Sequence, residues 1–171
     1  MSKDLRQAIS QIHNGANRLC LNTFGHVLNN AGNIGVFCQS RDEFERFTEI
    51  RKSITKASNN PNQKYFELIK PIIFNAEGNV PKTTYTHLYV RRFDPEEPHL
   101  GDVDFYIPLK EFKNLKQRLI LGDKIQGARI YDRQDLDMIE LFDPAINVLA
   151  YVSTKEMTEK ARVKQSEETK L

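Results

Sequence analysis

The chain has 171 residues, the length of one ordinary domain, and its 39% hydrophobic and 28% charged residues are the balance of a globular protein. Its 25 basic and 23 acidic residues give a net charge of +2 and are well mixed along the chain, which argues against a nucleic-acid partner. No apolar run is long enough to cross a bilayer, so no membrane partner is expected.

The first ten residues and the two cysteines are informative about the cellular compartment. The first ten residues, MSKDLRQAIS, lack the apolar segment and small-residue cleavage site of a secretory signal, so we expect a cytoplasmic protein. Cys20 and Cys38 have neither a second cysteine pair nor histidines at zinc-site spacing. We therefore expect both to be buried, reduced thiols.

The first half of the chain predicts two helices and three strands. Apolar residues three and four apart predict a helix over residues 4–28, so residues 1–32 are an N-terminal helical extension. A buried strand is predicted over residues 33–39, and Ser40 with Glu43 forms a capping box that starts a second helix. Two more strands follow, residues 65–74, which Pro71 breaks at an edge or bulge, and residues 83–90.

The second half predicts the same kinds of element. A strand over residues 103–107 leads through Pro108, at a first helical position, into a helix that ends near Gly122. Strands are predicted over residues 128–131, 137–142 and 148–152. Residues 153–171 are mostly charged, so we expect a frayed helix or flexible tail there.

The two halves also share a spaced motif. The motif reads Phe37-x-x-Ser40-x-x-Glu43-Phe44-x-x-Phe47 in the first half and Phe105-x-x-Pro108-x-x-Glu111-Phe112-x-x-Leu115 in the second. Each half then supplies about three more strands. This order predicts an internal duplication in one domain over residues 33–152, with halves 33–98 and 101–152.

With this order the chain resembles the vicinal oxygen chelate superfamily, the glyoxalase, bleomycin-resistance and dioxygenase-like proteins. The segment from Phe142 to Tyr151 is similar to the D-P-x-G-N turn and following strand of that family, with Ile146 where its glycine stands. The resemblance implies an α+β fold in which two βαβββ-like modules form a curved, mostly antiparallel sheet, here with an extra N-terminal helix. The ligand is then expected in the concavity of the sheet.

The resemblance also implies a divalent metal, Fe, Mn, Zn or Ni, held by His and Glu side chains from the first and last strands of each module. Two of these ligands are missing, because residues 33–39 contain no His, Glu or Asp and Ala150 stands where the last Glu is expected. His87, Asp104 and Glu140 remain as a candidate facial triad, an arrangement typical of iron and manganese sites.

Asp102, Asp104 and Tyr106 alternate along one strand and therefore share one face of the sheet. Two interpretations stay open: the carboxylates line a pocket, or they lie on a solvated face and pair with arginines such as Arg91, Arg92 or Arg129. His87 is likewise either a metal ligand or a hydrogen-bonded histidine of the sheet.

The sequence therefore predicts a small-molecule-binding protein without a complete family metal site. The alternative is a metal-dependent lyase, isomerase or oxygenase acting on a small oxo-acid or vicinal-oxygen substrate, so enzymatic activity is left open. A homodimer formed through the N-terminal helix is compatible with either hypothesis. The candidate ligand-binding residues are Tyr85, Tyr89, Arg91, Asp102, Tyr106 and Arg129.

Overall fold

The computed structural model describes residues 1–133 and 135–164, which form one seven-stranded sheet and four helices. The strand order is β2-β3-β1-β4-β7-β6-β5, with four antiparallel and two parallel pairings. The predicted α+β fold with a curved, mostly antiparallel sheet and an N-terminal helix is confirmed. The elements are α1 (Lys3–Phe24), β1 (Ala31–Phe37), α2 (Arg41–Ile54), β2 (Phe66–Phe74), β3 (Thr83–Arg91), β4 (Gly101–Tyr106), α3 (Leu109–Ile120), β5 (Ala128–Arg133), β6 (Leu136–Asp143), β7 (Ile146–Ser153) and α4 (Lys155–Lys160).

The halves meet at the centre of the sheet. In each half the first strand lies parallel to the last, β1 to β3 and β4 to β7, and the antiparallel pair of β1 and β4 joins the halves. The second half has the three strands predicted after its helix, whereas the first half has two. Residues 56–64, KASNNPNQK, lack β-branched and aromatic residues, and the chain between α2 and β2 contributes isolated bridges in place of a strand.

Helices α1, α2 and α3 cover one face of this sheet. Apolar side chains of α1, α2 and α3 share a single core with alternate residues of the central strands, such as Ile34 and Val103. Gly15 lets α1 approach the sheet closely, because a Cβ atom there would lie 2.7 Å from Cγ2 of Val148. Cys20 and Cys38 are buried free thiols, as predicted.

Several element ends differ from the predicted ones by a few residues. Helix α1 ends at Phe24 because Gly25 adopts a left-handed C-cap with φ of 75°. Ser40 caps α2 as predicted, but the Glu43 carboxylate accepts from the backbone N–H of Gln39, one residue earlier than a capping box requires. Pro108 is the N-cap of α3, just before its first helical residue.

The first part of the expected flexible tail is folded. Strand β7 continues through Ser153, Thr154 caps α4, and Thr158 and Ala161 are buried. Ala161 packs with Leu136 and other apolar residues of the second half, because the few apolar side chains of this segment fall on one side. Residues 165–171 of the predicted tail lie outside the described residues. Within the described part of the chain, no helix combines the length and apolar character needed to span a membrane.

Candidate functional site

A cavity of about 530 Å³ lies on the face of the sheet opposite helices α1, α2 and α3. Its lining combines carboxylates, cations and aromatic rings, with a few aliphatic side chains. The lining residues are Phe37, Lys64, Tyr65, Tyr89, Arg91, Asp102, Asp104, Tyr131, Arg133, Leu136, Met138, Tyr151 and Ala161.

Two buried aspartates form the floor of this cavity. Asp102 is 6% exposed and Asp104 is 2% exposed, and both project from β4, the central strand of the sheet. The Tyr65 hydroxyl donates to Oδ1 of Asp102 at 2.9 Å. The Asn33 side-chain amide donates to Oδ2 of Asp104 at 2.7 Å. These contacts rule out the predicted alternative of a solvated face.

Burial changes the protonation of the floor. Desolvation, with the charge of Asp102 added, raises the pKa of Asp104 to about 7. Burial also raises the pKa of Asp102, against the opposing effects of Lys64 and of the Tyr65 hydrogen bond. The floor therefore exchanges a proton in the neutral range, where a carboxyl group is suited to general acid–base chemistry.

Gly35 on β1 makes room for the Asp102 carboxylate. The two residues are opposite each other in the β1–β4 register. A Cβ atom at position 35 would lie 2.2 Å from Oδ1 of Asp102 and 3.3 Å from the Tyr65 hydroxyl. The absence of a side chain therefore lets the carboxylate reach across β1 to its tyrosine donor.

Aromatic pairs stand on both sides of the floor. The ring centroids of Tyr65 and Tyr89 are 5.3 Å apart, and those of Tyr131 and Tyr151 are 4.9 Å apart. Such rings bury a flat or apolar ligand surface, while their hydroxyl groups offer hydrogen bonds.

Three cations stand among these rings. The Lys64 ammonium lies 5.4 Å from the centroid of Tyr89, and the Arg133 guanidinium lies 5.1 Å from that of Tyr131. Arg91 stacks on Phe37 and also pairs with Glu97 at 2.7 Å. The walls thus carry groups that suit an anionic oxygen of a ligand.

Of the predicted ligand-binding residues, Tyr89, Arg91 and Asp102 line the cavity. Tyr85 lies on the opposite side, fully buried in the helix-covered core, where its hydroxyl is 2.8 Å from Nδ1 of His13. Side chains do not alternate strictly between the two faces along β3, since Tyr85 and Leu88, three residues apart, belong to the same core.

Tyr106 and Arg129 are also outside the cavity lining. Tyr106 lies beside a groove at one end of β4, next to Thr154. The Arg129 guanidinium pairs with Glu140 and stacks on the Phe142 ring, with 4.5 Å from Cζ to the ring centroid.

The predicted metal ligands do not come together. In the strand register, Asn33 of β1 pairs with His87 on one side and Asp104 on the other, so it separates them. Tyr151 of β7 separates Asp104 from Glu140 in the same way. Across residues 1–133 and 135–164 no group of three or more His, Cys, Asp or Glu side chains is placed to hold a metal ion. The donor set present therefore does not fit the metal centre that the resemblance implies.

The surroundings of His87 agree with the second interpretation of this residue, a hydrogen-bonded histidine. Its Nδ1 is 2.9 Å from the Thr86 hydroxyl, so it is a hydrogen-bonded histidine of the sheet. Burial lowers the pKa of His87 to about 4, which keeps the ring neutral at neutral pH.

Sequence reasoning missed several residues of the site. Asn33 gave a usable signal, because it is the only hydrogen-bonding side chain in the otherwise apolar β1. Tyr151 also gave one, since it alternates with the core residues Ala150 and Val152. Tyr65 precedes β2 in an irregular segment, where no periodicity indicates the direction of its side chain.

No protein-family model and no curated protein matches the chain. Among solved structures, one titled "Structural Genomics, Protein EC4020" matches with a TM-score of 0.51 and 15% identity over 92% of this chain and 91% of that chain. A Streptomyces coelicolor methylmalonyl-CoA epimerase in complex with 2-nitronate-propionyl-CoA matches with a TM-score of 0.32 and 14% identity over 75% of this chain and 99% of that chain. Of these two matches, the first supports a shared fold and, at 15% identity, nothing beyond the fold.

Proposed function

We propose that this protein binds a small, oxygen-bearing molecule in the cavity above Asp102 and Asp104. The observation that carries the proposal is the burial of two carboxylates side by side at the floor of a 530 Å³ cavity. Burying carboxylates costs folding free energy, and a concave site with convergent polar groups and shifted pKa values is typical of ligand binding.

The lining favours a ligand with two different ends. Ionised carboxylates accept hydrogen bonds, so the floor suits a hydroxyl or amino group of the ligand. Lys64 and Arg133 on the walls suit an anionic oxygen, and the tyrosine pairs suit a flat body. Small hydroxy-acids, oxo-acids and catechols each carry some of these features, as a hydroxyl donor, a carboxylate or a flat ring.

The test is a thermal-shift screen of these three compound classes. A compound present at about 100-fold its Kd should stabilise the wild-type protein by about 2.7 kcal/mol. Asp102→Asn should lose most of that stabilisation, because the amide cannot accept the same hydrogen bonds. Glu45→Gln, an exposed change on α2, serves as the control and should keep it. Equal stabilisation in all three proteins would place the binding outside the cavity and contradict the proposal.

One observation favours a second function, acid–base catalysis on the bound ligand. Asp104, with its pKa raised to about 7, can both take up and release a proton at neutral pH. If it does so in a reaction, Asp104→Asn should still bind compounds from the screen but should not convert them. A variant that converts them at the wild-type rate would contradict this role.

The metal-dependent alternative has its own measurement. Elemental analysis of protein purified without chelators or a metal-binding tag should be repeated on His87→Ala and Asp104→Ala. Stoichiometric divalent metal that is lost in both variants would contradict a metal-free binding site, even though these side chains are not grouped here.

A further inference from the structure

The described part of the C-terminal segment, residues 154–164, lies against the cavity and contributes to its lining. Thr154 accepts from the backbone N–H of Met157 and so fixes the start of α4. Ala161 lines the cavity, and Thr158 is fully buried. The segment thus packs on the face of the sheet that carries the site.

Backbone hydrogen bonds attach this segment to the cavity wall. The carbonyl oxygen of Arg162 accepts from the N–H groups of Lys64 and Tyr65 at 2.9 and 3.0 Å. Gln63 and Val163 form an antiparallel bridge beside them. The segment therefore holds the stretch of chain from which Tyr65 reaches Asp102.

The same segment fixes the side-chain amide of Asn33. Nε of Arg162 donates to Oδ1 of Asn33 at 2.9 Å, and Nδ2 of Asn33 donates to the carbonyl oxygen of Thr158 at 2.9 Å. The same Nδ2 donates to Asp104 at 2.7 Å. A flipped amide would set its NH₂ group against the guanidinium and its oxygen against two acceptors, so this arrangement permits one orientation.

We propose that Arg162 is a positioning residue of the binding site, which acts through Asn33 to hold a hydrogen-bond donor on Asp104. The inference rests on the proposed function of the cavity. It makes the C-terminal segment part of the site, since two of the three partners of the Asn33 amide come from that segment.

The protonation of Asp104 reports on this chain of contacts. The hydrogen bond from Asn33 and the charge of Arg162 both lower the pKa of Asp104, whereas desolvation raises it. Several groups affect the pKa of Asp104 or of its neighbours Tyr65, Tyr151 and Arg162, by charge or by a hydrogen bond. They are Asp102, Asn33, Lys64, Glu67, Tyr106, Tyr131, Glu140 and Glu159. A loosened Asn33 amide should therefore raise the pKa of Asp104 further.

Arg162→Lys separates positioning from simple charge, because lysine keeps the positive charge and lacks the guanidinium Nε donor. We expect Arg162→Lys to raise the pKa of Asp104 by about one unit, a roughly tenfold change in proton affinity. The measurement is a ¹³C carboxyl NMR titration, in which the Asp104 signal is the one that Asp104→Asn lacks. Lys155→Gln, which removes an exposed cation from the same segment, should leave the titration unchanged.

The route through Asn33 is tested by a double-mutant cycle. With Asn33→Ala in place, Arg162→Lys should have no further effect on Asp104, and Asn33→Ser replaces this background if the alanine variant does not fold. An unchanged or lowered pKa in Arg162→Lys, or the same shift in both backgrounds, would overturn the proposal. Because the titration needs no ligand, its outcome is independent of the ligand screen.

Discussion

Asp104→Asn is the change whose effect on stability the structure predicts most directly. Asparagine has nearly the shape of aspartate, and its carbonyl oxygen can still accept the hydrogen bond from the Asn33 amide. The substitution therefore removes a buried ionisable group while it keeps the packing of the floor.

The size and sign of the effect follow from the raised pKa. Between its ordinary value of 3.8 and about 7, Asp104 is protonated in the folded protein and ionised in the unfolded chain. Its contribution to the free energy of unfolding is thus fully present below pH 3.8 and is lost as the pH rises through 7, by at most about 4 kcal/mol. Asp104→Asn has no such loss, so its stability relative to wild type should grow over this range.

The assay is urea denaturation of both proteins at several pH values between about 4 and 8. The free energy of unfolding of Asp104→Asn minus that of wild type should rise by about 2 to 4 kcal/mol across the range. Taking this difference cancels the titration of groups common to both proteins. Glu45→Gln, an exposed carboxylate, should show no such rise. A difference for Asp104→Asn that stays constant with pH would refute the assignment of a buried, neutral-range carboxyl group.

Three further changes test other parts of the site and core. Gly35→Ala should push the Asp102 carboxylate away, since its Cβ would lie 2.2 Å from Oδ1, and should cost about 1–3 kcal/mol in urea denaturation; unchanged stability would contradict this close approach. Burial lowers the pKa of His13 to about 4, so the free energy of unfolding of His13→Gln minus that of wild type should rise by about 3 kcal/mol as the pH falls from 6.5 to 4; a constant difference would show that His13 does not stay neutral on folding. Tyr65→Phe should raise the pKa of Asp102 in a ¹³C carboxyl titration, because its hydrogen bond lowers that pKa; a fall would mean that water replaces the hydroxyl.

The fold was predictable because its elements follow local rules. Apolar spacing gave α1 and the helices of both halves, and the Ser40 cap gave the start of α2 to the residue. Local signals also predicted the three strands of the first half, whereas the duplicated order required a further strand after α2 that is not formed there. Whether residues 56–64 form such a strand depends on a partner along the edge of β2, which is a matter of long-range pairing.

The carboxylates of the site were predictable because they interrupt an apolar strand. Asp102 and Asp104 were found in this way, and their common face followed from the period of a strand. Tyr85 was predicted to bind the ligand but lies in the core, because side chains do not alternate strictly along β3. Arg162 was missed because the sequence around it is charged, and its role depends on a contact with Asn33, 129 positions away in the chain.

Under the proposed function, stability and binding oppose each other at the floor of the cavity. Asp102 and Asp104 occupy a central strand, where an apolar side chain would be more stable. The hydrogen bonds from Tyr65 and Asn33 offset only part of the desolvation cost, since the pKa values of both aspartates remain raised. The remaining desolvation cost falls on the ionised form of these two carboxylates. A ligand that donates hydrogen bonds to the carboxylates reduces that cost directly, so the free energy that destabilises the empty protein becomes available for binding. This is the energetic pattern of a site kept for recognition at the expense of stability.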